Sequence, residues 1–333
     1  METLHFLQTT WFILIGVLLL GYSILDGFDL GIGTLLPFLA KKEKEKEVLL
    51  QAVGPFWDGN EVWLITGGGA LFASFPHAYA TVFSGFYLAL MLVLFALIFR
   101  AVSIEFMTHD EKNRKTWEWC FVIGSFLPSL LFGVALGNVV VGIPLDKNME
   151  FTGNFFTLLR PFPLSAGLLG LNAILLQGTT YTALKSVGDL RKRARRLTHK
   201  LRFSFIVLFL LTAVLGVLTI PGPKNRILAW LAVLVVIAGW FLISRFVKKG
   251  NDTLSFVMSS LVFTGLWGIV AAVQFPYLVR AGGDLSLSLT VRNASSSALT
   301  LKVMLIIVLI GMPLVLFYTY YIFKTFKGKI KIE

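Results

Sequence analysis

The 333-residue chain carries 30 Lys and Arg against 18 Asp and Glu, a net charge of +12, with 56% apolar and only 14% charged residues. Soluble domains carry about 25% charged residues, so a water-covered surface is excluded, and the apolar content equally excludes a disordered chain. One cysteine, Cys120, excludes a disulfide framework and a cysteine-based metal site within the chain.

A membrane helix needs about 20 mostly apolar residues, and nine stretches qualify. They run over 8–36, 48–75, 78–105, 117–143, 161–184, 203–220, 227–246, 254–278 and 301–323. The fold class predicted is an all-α polytopic membrane protein of nine transmembrane helices, two four-helix bundles plus a peripheral helix. It forms a single transmembrane domain over 1–333 with no soluble domain. Gly27, Gly31 and Gly33 are expected to bend or break the inner end of the first stretch. No Lys or Arg precedes Trp11 and no small-residue cleavage site follows, so the first stretch is expected to be retained. The tract Lys41 to Glu47 reads as a solvated charged loop. The connections 185–202 and 279–300 read as the longest polar segments, the second Ser- and Gly-rich. No short internal repeat is evident.

Orientation follows from the basic residues in the connections. Those after odd-numbered stretches, with the C-terminal tail, hold 22 Lys and Arg; the others hold 7, and Arg100 lies inside a stretch. The bias predicts the N-terminus outside and the C-terminus in the cytoplasm. It also accounts for the positive charge without nucleic acid. The run Arg191-Lys192-Arg193-Ala194-Arg195-Arg196 lies between two apolar stretches and reads as an anchor to the lipid bilayer's inner leaflet.

Ionisable residues inside membrane stretches cost roughly 2.5–3.5 kcal/mol each and are candidates for function. The first stretch carries Asp26 and Asp29, three apart and so on one helix face. The second carries Asp58 and Glu61 with the same spacing, beside Pro55 and Gly59, which permit a local kink. The third carries Arg100 and, near its inner end, Glu105. With Asp58 ten residues in from Val48, about 15 Å of continuous helix places it near mid-membrane. Burial disfavours a charged carboxyl, so an acid series from the inner surface to mid-membrane reads as a proton uptake route, with Arg100 as charge partner. The competing reading has these acids capping broken helix ends or gluing helices together through Arg100. His5, His77, His109 and His199 fall at loops or edges, and no two are spaced to grip a haem or metal. Met91, Met258, Met304 and Met312 read as core packing. Trp57 and Trp63 sit away from the interfaces where Trp usually collects. Packing within the chain, or against a partner helix or cofactor, accounts for them. Gly67-Gly68-Gly69 permits close helix approach.

At these residues the sequence resembles subunit II of the bacterial cytochrome bd quinol oxidases. The resemblance rests on Asp26-Gly27-Phe28-Asp29-Leu30-Gly31, Trp57-Asp58-Gly59-Asn60-Glu61-Val62-Trp63-Leu64 and Thr66-Gly67-Gly68-Gly69-Ala70-Leu71-Phe72-Ala73. It continues through Phe83-Ser84-Gly85-Phe86-Tyr87, Arg100, Trp117-Glu118-Trp119, Ile123-Gly124-Ser125-Phe126 and Gly137-Asn138. Gly153-Asn154-Phe155-Phe156-Thr157-Leu158-Leu159, Gln177-Gly178-Thr179-Thr180-Tyr181 and Ala294-Ser295-Ser296-Ser297-Ala298-Leu299-Thr300 complete it, in order along nearly the whole chain.

The resemblance implies a complex in the bacterial cytoplasmic membrane that oxidises a membrane quinol and reduces O2 to water. It builds a proton-motive force without pumping. The partner, subunit I, would carry two b haems and one haem d and the quinol oxidation loop, while this chain ligates no cofactor and is not catalytic alone. Asp58 matches the acid assigned to the proton path, and Trp63 a position linked to O2 access near the subunit interface. Some family members carry Gln where this chain has Glu61, and some carry a long insertion where this chain has the short connection 221–226. A structural quinone and small single-helix accessory subunits also occur within what the resemblance implies. Two other readings compete: a proton-coupled secondary transporter, which broken helices with midplane acids would suit, and a purely structural scaffold.

Overall fold

The structure is a computed structural model that describes residues 2–220 and 227–330. The short connection 221–226, and with it Lys224 and Arg226, lies outside the described residues, as does Lys331. Among the described residues the chain forms eleven α-helices: α1 Glu2–Leu39, α2 Glu43–Val53, α3 Trp57–Ser74, α4 Pro76–Gly85, α5 Tyr87–His109, α6 Arg114–Val141, α7 Pro161–Lys185, α8 Gly188–Thr219, α9 Ile227–Lys248, α10 Asp252–Gln274 and α11 Ala298–Thr325. Eight of them, all but α2, α3 and α4, are long and apolar enough to cross a membrane. The one sheet among the described residues is a two-stranded antiparallel pair, β1 Tyr277–Val279 with β2 Leu289–Thr290.

α1 is the axis of the molecule. It packs against α3, α6, α7, α10 and α11. Its first half buries a single stripe, Leu7, Trp11, Ile15, Leu18 and Tyr22, at the three-and-four spacing of one helix face. From Asp26 to Leu36 every residue is buried. α7 is the second axis and is buried without interruption from Leu176 to Ala183, although that run is largely polar. Its hydroxyls turn back onto its own carbonyls, Thr180 Oγ1 donating to Leu176 O at 3.1 Å and Thr182 Oγ1 to Gly178 O at 2.8 Å. A polar stretch thereby becomes compatible with an apolar setting. α5 lies on α6, α6 on α7, α7 on α8, and α9 on α10. α11 buries only Leu301 along its length, whose carbonyl accepts the Trp11 indole N–H at 2.9 Å.

The first two axes cross where glycine faces glycine. A Cβ added to Gly31 would lie 2.9 Å from Gly178 Cα, and one added to Gly178 would lie 2.7 Å from Gly31 Cα. Small residues let membrane helices approach this closely, gaining dispersion contacts that lipid cannot supply. This corrects the expectation of a bent inner end. α1 is one helix of 38 residues, and its glycines serve as packing surfaces rather than breaks.

Other expectations change as well. The stretch 48–75 is two helices, because Pro55 lacks the N–H and obstructs the carbonyl that a continuous helix needs; the turn at Gly54–Phe56 separates α2 from α3. Asp58 therefore stands in the first turn of α3, not ten residues deep in an unbroken helix. The stretch 78–105 is divided into α4 and α5 at Phe86. The supposed polar connection 185–202 is mostly helix: α8 starts at Gly188 and carries the whole basic run, since Lys and Arg are good helix formers. The tract Lys41 to Glu47 is not a free loop. Glu45 accepts the backbone N–H of Lys41 at 2.7 Å and of Lys42 at 3.1 Å, and pairs with Arg193 of α8. Lys46 reaches Glu118 of α6 at 2.7 Å.

At the end of the bundle where α6 stops and α11 starts, the connections knit together. Ile143 N–H donates to Arg280 O at 2.9 Å, Gly282 N–H to Ile143 O at 2.7 Å, and Ser296 N–H to Ser74 O at 2.8 Å. At the opposite end the C-terminal tail folds back, with Ile330 N–H on Lys185 O and the Lys185 ammonium on Phe326 O.

Candidate functional site

Tyr22, Asp26 and Asp29 are spaced four and three apart, so α1 presents all three on one face. Opposite stands Arg100 of α5. Its guanidinium grips the Asp26 carboxylate with two bonds, Nη1 to Oδ2 at 2.8 Å and Nη2 to Oδ1 at 2.6 Å. Both residues are completely buried. An isolated charge there would be prohibitively costly, but a bidentate pair cancels the charge and satisfies most of its hydrogen-bonding groups. Gly124 of α6 makes room for this arrangement, since a Cβ there would sit 2.8 Å from the Arg100 backbone nitrogen.

Asp29 is held differently. Its Oδ2 accepts from Asn60 Nδ2 at 2.7 Å, and the same amide reaches Leu25 O at 3.1 Å. The Asp29 Oδ1, the Tyr22 hydroxyl and Arg100 Nε have no hydrogen-bond partner among the described residues. Buried polar atoms without partners are uncommon and call for an explanation. Here several of them gather around one neutral ion pair and a second carboxyl that has no cation of its own.

The remaining candidates divide. Asn60, Trp63 and Gly67 form the buried face of α3, and Trp63, 8% exposed, lies flat over Gly21 of α1 beside Leu18 and Tyr22. Trp57 is half-buried and Asp58 is exposed on the opposite side of α3. Glu61, on the same helix, is half-buried and feels the charges of Arg100, Asp26 and Asp58. Glu105 does not join the cluster; it is exposed at the far end of α5, 3.8 Å from His109. Asn60 and Tyr22 were missed in the sequence because neither is a permanently ionisable group. The signals were present: Tyr22 lies one turn before Asp26, and Asn60 interrupts an apolar helix two residues after Asp58.

No group of three or more His, Cys, Asp and Glu is placed to hold a metal ion among the described residues. The histidines lie on four different elements, His5 on α1, His77 on α4, His109 on α5 and His199 on α8.

The profile of the family "Cytochrome bd terminal oxidase subunit II" matches residues 7–326. The chain belongs to the cytochrome bd subunit II family. It is 35% identical to the cytochrome bd-I ubiquinol oxidase subunit 2 of Escherichia coli K12, an alignment covering 100% of this chain and 96% of that one. It is also 35% identical to the cytochrome bd ubiquinol oxidase subunit 2 of Bacillus subtilis 168, covering 97% of each. The fold superimposes on a chain of the bd oxidase from Geobacillus thermodenitrificans with a TM-score of 0.80 over 96% of this chain and 98% of that one, at 14% identity. The molecule is thus an integral membrane subunit of a respiratory quinol oxidase, an oxidoreductase complex, with a partner subunit I. Family membership gives the transporter reading no support.

Proposed function

We propose that this chain is the subunit that supports the haem-bearing subunit I and carries protons to it for the reduction of O2 to water. The observation that supports this reading is the buried constellation on α1, α3 and α5. Asp26 is spoken for by Arg100, whereas Asp29 has only the neutral Asn60 amide, so Asp29 is the carboxyl free to take and give a proton. Glu61 links this pair to Asp58, and Asp58 in turn lies on the uncovered face of α3. A carboxylate turned to lipid costs about 2.5–3.5 kcal/mol. That face also presents Gly69 with open space around it, which suits a closely packed helix of the partner. The uptake series then runs from the basic surface, through Asp29 and Glu61, to Asp58 at the subunit boundary, with the Asp26–Arg100 pair as its fixed neighbour. Trp57, half-buried beside Asp58, belongs to that boundary as subunit contact or O2 access, whereas Trp63 packs within the chain against Gly21.

In this reading the two b haems and haem d reside in subunit I, where quinol is oxidised, and the complex charges the bacterial cytoplasmic membrane without pumping. Nine crossings, with α2, α3 and α4 completing the second and third, put the N-terminus outside and the C-terminus in the cytoplasm.

The test is turnover of the assembled complex. Asp58→Asn and Asp29→Asn, each with normal haem content, are expected to slow O2 reduction by roughly 100-fold, the scale of losing one proton-transfer group. Full turnover in a haem-replete Asp58→Asn complex removes Asp58 from the route. Loss of assembly in both variants, with normal turnover in whatever assembles, assigns the acids to scaffolding.

A further inference from the structure

The cations at the tail end of the bundle are more than an undirected basic surface. Arg191 and Arg195 of α8 converge on one carboxylate, Asp252 at the start of α10, each through Nε at 2.7 Å. Lys329 of the tail stands 3.7 Å from the same carboxylate. Both arginines also donate to Gly250 O, at 3.3 and 2.8 Å, and Lys329 donates to Ser186 O at 2.9 Å. These bonds fix the side chains around an open cavity of about 360 Å³ between the α7–α8 and α9–α10 turns. Lys249 lines the cavity as well, exposed and with no ion pair among the described residues. Three cations, Arg191, Lys249 and Lys329, thus line the cavity with one anion, Asp252, which Arg195 also pairs from outside the lining. The surplus is felt locally: burial lowers the Lys329 pKa, and repulsion from Arg191 and Arg195 lowers it further. One turn deeper, Leu254 and Val257 project outward from α10, 37% and 46% exposed.

We propose that this cavity binds the phosphodiester headgroup of an anionic phospholipid, its acyl chains lying along Leu254 and Val257. A phosphate brings the missing negative charge and acceptor oxygens to a ring of donors already fixed in place. The bilayer is the source of that phosphate, because the apolar face continues directly from the charged one. Basic pockets between membrane helices select such headgroups.

The experiment uses the complex purified with subunit I, stripped of lipid and offered equal phosphatidylglycerol and phosphatidylcholine, with retained lipids counted by native mass spectrometry. The parent complex and Lys249→Arg are expected to retain phosphatidylglycerol. Lys249→Glu changes the local charge by two, and about five-fold per charge gives about 30-fold weaker retention. Lys192→Glu, on α8 next to Arg191 but outside the cavity lining, should leave retention unchanged. Equal retention in the parent and Lys249→Glu overturns the site, as does an equal loss in Lys192→Glu, which signals a diffuse surface effect. Retention of inorganic phosphate without discrimination between the two lipids assigns the cavity to a free anion and overturns the lipid reading.

Discussion

Arg100 and Asp26 show how one residue decides the worth of another. Removing Arg100 alone leaves a fully buried carboxylate without its counterion. Arg100→Gln is therefore expected to cost about 3–5 kcal/mol, read as a loss of assembled complex and a lower Tm. The double variant Asp26→Asn with Arg100→Gln strands no charge and should recover most of that loss. If the double variant is as damaged as the single one, the pair does more than neutralise itself. The sequence exposed these two residues readily, because a charge in an apolar stretch stands out. It exposed Asn60 and Tyr22 poorly, because amides and phenols are tolerated in membrane helices for many reasons. Only the fold reveals that Asn60 turns its amide onto Asp29.

Among elements, the α1–α7 crossing brings backbone against backbone in the centre of the molecule. Gly178→Ala would press a methyl group against the Gly31 backbone, which has no side chain to move aside. Overpacking of this kind costs about 1–3 kcal/mol, and the expected readout is a lower melting temperature with an unchanged haem spectrum. An unchanged Tm would show that the helices separate easily at this point. The elements themselves were legible where apolar length sets them: α6, α7, α9, α10 and α11 all fall close to their expected ranges. They were illegible where hydropathy and helicity part company. Hydropathy ended the sixth stretch at Phe203, while the helix runs back to Gly188 because charged residues with long straight side chains form helix as readily as apolar ones. Hydropathy also ran through Pro55, where the backbone cannot.

At the scale of the molecule, asymmetry of charge sets the orientation. The end bearing Glu111 and the basic run of α8 should face the cytoplasm, and the end bearing Lys147 the exterior. Both positions are exposed. A membrane-impermeant maleimide applied to intact cells is expected to label Lys147→Cys and spare Glu111→Cys, the reverse holding for inverted vesicles. Labelling of both from one side would break the nine-crossing arrangement. No count of apolar residues indicated which surface of α3 would be left uncovered, because that depends on how α3 turns Asn60, Trp63 and Gly67 towards α1 and so turns Asp58 away.

The glycine-to-glycine contact at the centre has a mechanical corollary. With backbone against backbone, α1 can neither roll nor slide on α7 without collision, so the wall carrying Asp26 and Asp29 is the stationary one. Whatever shuttles during turnover belongs to the opposite wall, where α3 is short, preceded by the turn at Pro55 and packed mainly on α1, with lighter contact to α4 and α11.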